Sequence, residues 1–204
     1  MTTRELFPTL VYVAPLGGAT APLNRELLAE VRTIRARDAA GRRWSTRNYP
    51  GGYTSYGSLD QLQRMSSTFI ALRERIDVHV TRYARDQAWD LRGRKLAMSD
   101  CWANIMRRGS AHAGHLHPHA VVSGTYYLQV PRGAPGLRFE DPRLSRLMAA
   151  PMRRAGTREP LKSHVIVPAR PGQVVLFDSW LRHEVPAVRS AGERISLSFN
   201  YHWY

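Results

Sequence analysis

The chain has 204 residues, enough for one domain with a real core, and its 43% hydrophobic and 23% charged residues are values of an ordinary globular protein. No apolar run approaches the roughly 18 residues of a membrane-spanning helix, and the single cysteine, Cys101, excludes an internal disulfide framework and a Cys-rich zinc site. The formal net charge of +14 favours anionic ligands, but of the 30 basic residues only Lys95 and Lys162 are lysine and the arginines form no block or stripe, so nucleic acid is disfavoured as a partner.

The opening residues lack the long apolar segment and small-residue cleavage site of a signal peptide, so a cytoplasmic protein is the default expectation. "FPTLVYVAPL" alternates enough to be a first strand, ended by Pro15 and Gly17. "APLNRELLAEVRTIRARD" predicts a helix, with Leu23, Leu27, Leu28, Val31 and Ile34 at helical spacing and Pro22 in its first turn. Residues 41–58, rich in Gly, Ser and Tyr, read as a long loop, and a loop of that length inside a compact domain is often functional. A second helix is predicted over roughly 60–88, its stripe running Leu62, Met65, Phe69, Leu72, Ile76, Val80 and Tyr83. From residue 96 the texture changes to short β-branched and aromatic segments punctuated by Gly and Pro, which predicts an all-β sandwich or jelly roll. The expectation is one α+β domain over 1–204, in which 1–90 supply helical support and a lid loop and 96–204 the β core.

Four of the 8 histidines, His112, His115, His117 and His119, fall within eight positions. Residues i and i+2 of a strand share a face, so His115 and His117, or His117 and His119, can point at one ion. His183, just after the apolar "VVLF", is the candidate third ligand, and such a trio leaves open positions on a metal. Eleven residues on stands Arg194, with Ser196 two beyond it on the same strand face. A guanidinium beside a hydroxyl suits a carboxylate, because arginine donates two parallel hydrogen bonds.

These residues resemble the Fe(II)/2-oxoglutarate-dependent oxygenases. The resemblance rests on "HLHP" at 115–118, "SGTYYL" at 123–128, "DPR" at 141–143, "GQVVLFDSWLRHEV" at 172–185 and "ERISLSFN" at 193–200, and reaches more weakly to "LFPTLVYV" and "GGYTS". It implies a double-stranded β-helix with the N-terminal helices packed on one face, and a C–H-hydroxylating enzyme that uses Fe(II), 2-oxoglutarate as cosubstrate and O₂. His115 and His183 would be metal ligands, Arg194 and Ser196 would hold the far carboxylate of 2-oxoglutarate, and Asn104 and Tyr126 or Tyr127 would be polar contacts to it. The commoner pattern has a carboxylate where His117 stands. His117 as third ligand, water in its place, or a carboxylate such as Asp178 from another strand are the alternatives, with His117 favoured by its spacing. Trp44 and Tyr53 in the 41–58 loop, and Arg107 at the mouth, are candidate substrate contacts. They suit a small polar molecule, an amino acid or a peptide, anionic ones included. The competing readings are a three-His cupin-like dioxygenase that does not use 2-oxoglutarate, and a basic nucleic-acid-binding module. An exposed C-terminal "FNYHWY" leaves a homodimer open.

Overall fold

Apolar and polar residues alternate along the C-terminal strands in two sets, and each set meets a different partner. The computed structural model describes residues 2–204. Its strands are β1 (Val11–Pro15), β2 (Gly52–Thr54), β3 (Leu96–Met106), β4 (His112–His115), β5 (Val122–Gln129), β6 (Leu137–Glu140), β7 (His164–Val167), β8 (Gln173–Asp178), β9 (His183–Val185) and β10 (Arg194–Trp203). The helices are α1 (Thr20–Arg37), α2 (Ala39–Asn48) and α3 (Ser67–Asp86). The strands form two antiparallel sheets, a larger one in the order β1-β8-β5-β10-β3-β2 and a smaller one in the order β4-β9-β6-β7. This is the double-stranded β-helix with helices on one face.

Along β10, Ile195, Leu197, Phe199 and Tyr201 join the core shared with the helices, where they meet Leu27 and Val31 of α1 and Phe69, Leu72 and Ile76 of α3. Each such side chain, fully buried, contributes on the order of 1.5–3 kcal/mol. The intervening residues Arg194, Ser196, Ser198 and Asn200 therefore face the space between the sheets. β3 continues both sets in register, since Asn104 is opposite Ser196 and Trp102 opposite Ser198. β8 does the same with apolar residues: Val174 and Leu176 face the helices, while Val175 and Phe177 belong to a second core between the sheets.

Three expectations are corrected. Residues 41–58 are not a loop: they hold most of α2, then β2, which pairs with β3. The buried Asp38 carboxylate accepts from the Gly41 backbone N–H at 2.8 Å, which supplies a helix start that composition conceals. The second helix begins later than expected, at Ser67 behind a Ser66 cap, so Met65 lies outside it and is exposed. Finally, β2 joins the expected first strand, β1, at the edges of the large sheet, so residues 1–90 supply more than helical support and a lid loop.

Candidate metal centre

β4 and β9 bring His115 directly opposite His183, with ring centroids 4.4 Å apart. His117 lies just beyond the end of β4, pinned by its own N–H, which donates to the Ser179 carbonyl at 2.9 Å. One nitrogen from each of these three rings lies within 4.8 Å of the others, close enough for a single ion to be reached by all of them. This is the set expected from spacing, although only His115 of the H-x-H pair is on a strand.

The far side of each ring is tied down. Nδ1 of His115 lies 2.8 Å from the Ala113 carbonyl, and Nδ1 of His183 lies 2.9 Å from the Leu181 carbonyl. A carbonyl only accepts, so both rings donate from Nδ1 and keep the Nε2 lone pair free. For His117, Nδ1 lies 2.6 Å from Asn200 Oδ1, and the Ser123 hydroxyl lies 2.9 Å away. Asn200 in turn donates from Nδ2 to Asp100 at 3.3 Å. Metal-ligating histidines are held this way, through a hydrogen bond that fixes tautomer and ring orientation. Burial pushes the His183 imidazole down to about 3, with neighbouring His115 adding to the effect, and it lowers His115 and His117 as well. Neutral rings are the form that binds a cation.

Below the histidines a narrow cavity of about 40 Å³ runs between the sheets to Arg194. Arg194 is only 2% exposed, yet no carboxylate stands within ion-pair distance of it among the described residues. Its Nε donates to the Pro135 carbonyl at 3.0 Å, Nη1 reaches the Ser196 hydroxyl at 3.4 Å, and the guanidinium stacks on the Tyr127 ring at 4.9 Å. A buried charge without a counter-charge is costly, so the arrangement is that of a site for an anion. Two more polar atoms nearby are left without partners, Asn104 Oδ1 on the cavity wall and the hydroxyl of Tyr127, whose ring lies against Arg194. Asn104 now donates from Nδ2 to Ser198 at 3.0 Å. Turning its amide over keeps that bond, with Ser198 donating, and aims an N–H into the cavity. The donor set therefore fits 2-oxoglutarate at one end and a divalent ion at the other.

Above the histidines the cavity opens into a cleft of about 400 Å³. Trp44 lines it, as expected from sequence. Tyr53 does not: it is buried beneath α2 and donates to Asp38 at 2.8 Å. Arg107 lies outside both cavities and is paired with Glu193 at 2.6 Å. Tyr126 is also displaced from the role expected of it, since it faces α1 and donates to Asn24 at 2.6 Å, whereas Tyr127 faces Arg194. Asp178 points to the helix side, accepting from Tyr83 at 2.8 Å and Gln87 at 2.7 Å, so it brings no carboxylate to the metal.

Sequence reasoning missed His112, whose ring stacks on His115 at 4.2 Å and packs edge-on against Tyr49. Residues three apart face opposite sides of a regular strand. A bulge between His112 and His115 puts them on the same side. His119, by contrast, is exposed at the cleft mouth. His79, on α3, is buried and bonded to the Tyr12 hydroxyl at 2.9 Å and the Leu16 carbonyl at 3.1 Å.

A family model described as "Putative 2OG-Fe(II) oxygenase" matches residues 100–200, the stretch that runs from β3 to β10. No curated protein matches the chain. Among solved structures, the fold is similar to a 2OG-Fe(II) oxygenase family oxidoreductase from Burkholderia pseudomallei, at 17% identity, TM-score 0.57 and coverage of 94% of this chain and 83% of that one. It is also similar to a Pseudomonas putida prolyl-4-hydroxylase, at 19% identity, TM-score 0.60 and coverage of 95% and 92%. HygX from Streptomyces hygroscopicus, solved with nickel, 2-oxoglutarate and hygromycin B, is similar at 15% identity, TM-score 0.58 and coverage of 95% and 82%. At these identities the structures speak to the fold, and the matched segment carries all three clustered histidines, Arg194 and Ser196. Residues 100–200, the segment that holds the three histidines and Arg194, belong to the 2OG-Fe(II) oxygenase family, and the chain is an enzyme of that class.

Proposed function

We propose that this enzyme hydroxylates a C–H bond of a small polar molecule, an amino acid or a peptide, using Fe(II), 2-oxoglutarate and O₂. The observation that carries the reading is the pairing of two features in one cavity: three histidines converging at its mouth and a buried, unpaired guanidinium at its floor. When bound, the iron supplies O₂ activation, coupled to conversion of 2-oxoglutarate to succinate and CO₂.

The chain's own residues bind, orient and exclude water. His115, His117 and His183 hold the ion through Nε2, each ring fixed by its Nδ1 contact. Arg194 and Ser196 take the far carboxylate of 2-oxoglutarate, and Asn104 and Tyr127 offer the remaining polar contacts. Phe177, 4.5 Å from the His183 ring, and Phe139 behind it form a dry wall on one side of the centre. Three neutral ligands leave the ion's full positive charge in place, which favours the dianionic cosubstrate.

The test is to load the protein with iron under anaerobic conditions, add 2-oxoglutarate, admit oxygen and measure succinate. Succinate that needs iron and is lost in both His183→Ala and Arg194→Ala is the expected result. No succinate, together with an iron spectrum unmoved by 2-oxoglutarate, would sink the proposal.

A further inference from the structure

The outer cleft is chemically unlike the rest of the surface. In a chain with 30 lysines and arginines among 204 residues, not one lines it, whereas the carboxylates of Asp60 and Asp100 do. Neither carboxylate is ion-paired among the described residues. Asp100 is half-buried and accepts from Ser99 at 2.6 Å, while Asp60 is exposed at the rim. The same cleft carries an aromatic wall. Tyr56 packs edge-on against Trp102 at 5.0 Å, and Trp102 lies 5.9 Å from the His117 ring. Trp44 is exposed on the same cleft.

We propose that this cleft selects a substrate bearing a positively charged amine, seated against Trp44, Tyr56 and Trp102 with its charge facing Asp60 and Asp100. The inference rests on the oxygenase reading above and names its substrate class. Aromatic faces attract cations through the ring quadrupole, and carboxylates add a direct ion pair. An anionic substrate would meet two carboxylates and no lysine or arginine here. The chain's large positive charge does not contradict this, because at physiological salt charges more than about 8 Å away are largely screened. The volume, about 400 Å³, falls in the ordinary range of roughly 300–1,000 Å³ for small-ligand pockets.

The experiment titrates phenethylamine, N-acetylphenethylamine and 3-phenylpropionate into the protein and follows tryptophan fluorescence. It is run with and without bound metal and 2-oxoglutarate. The expected result is that the protonated amine binds about tenfold or more tightly than either counterpart, equivalent to roughly 1.4 kcal/mol. That preference should shrink in Asp60→Asn, a surface change that leaves the fold intact, and vanish in the Asp60→Asn/Asp100→Asn double variant. Equal or tighter binding of the neutral or anionic probe, no binding of the amine, or a preference that survives the double variant would each overturn the proposal. Affinity for 2-oxoglutarate, measured on the same samples, separates the two readings. Its loss strikes the proposed reaction, whereas lost amine preference with intact 2-oxoglutarate binding strikes the substrate class alone.

Discussion

The proposed third ligand, His117, is an imidazole and not a carboxylate, which would set the charge of a bound centre. Its orientation depends on Asn200, 83 residues away in sequence, whose Oδ1 lies 2.6 Å from Nδ1. Removing that contact leaves Ser123 alone to hold the ring. Asn200→Ala should therefore weaken metal affinity by about 10- to 100-fold, the usual scale for the partner of a ligating histidine. Competition against a chromophoric chelator measures this directly, and unchanged affinity would refute the positioning role. Arg194 offers a second residue-scale prediction. Arg194→Lys keeps the charge but loses the planar fork, so 2-oxoglutarate binding should weaken by about tenfold or more while metal affinity stays constant. H-x-H and R-x-S were legible because each lies within three residues. Asn200 and Ser123 were not, because their contact with His117 exists only once β5, β10 and the turn after β4 are assembled.

At the scale of elements, parity governs what can be read. Tyr126 and Tyr127 are adjacent and both buried, yet only Tyr127 shares the sheet face of Ser196, its partner in register. The alternation Arg194, Ser196, Ser198, Asn200 against Ile195, Leu197, Phe199, Tyr201 already separates the two faces in the sequence. Parity fails at β4, where the bulge hides His112 from any period-two reading. It also says nothing of α2, which begins on a single capping aspartate. Burial by itself would raise the Asp38 carboxyl, but hydrogen bonds from Ser58, Gly41 and Tyr53 outweigh it and hold the group below the usual carboxylate range. Asp38 thereby ties α2, β2 and the Ser58 turn into one unit carrying Trp44, Tyr49 and Tyr56. Asp38→Ala strands three donors and should cost on the order of 1–3 kcal/mol in unfolding free energy. Metal and 2-oxoglutarate affinities should hold, while substrate-dependent turnover falls. A variant with wild-type stability by thermal melting would remove Asp38 from this role.

For the whole molecule, composition was a poor guide to the chemistry of the cleft, because none of the lysines and arginines behind the net charge of +14 lines it. The larger consequence is that four histidines are gathered in a partly dry space before any cation arrives to justify them. Burial pushes both His112 and His183 down to about 3, against an ordinary value of 6.5. The unfolded chain therefore binds more protons than the folded one between those two values. The stability these rings contribute is present in full above pH 6.5 and is lost as pH falls from 6.5 toward 3. Burial raises the carboxyls of Asp77 and Asp178, which acts in the opposite sense. The histidine part is isolated by comparing wild type with His112→Ala, which removes one ring and no proposed ligand. Metal-free wild type should lose melting temperature between about pH 7.5 and 5, and His112→Ala should lose distinctly less. Saturating Ni²⁺ should raise the melting temperature of both proteins at about pH 7.5, and that gain should shrink on acidification as protons compete for the rings. Parallel melting curves for wild type and His112→Ala across the range would mean that His112 titrates as it would in water, and that the centre is open to solvent where the fold closes it.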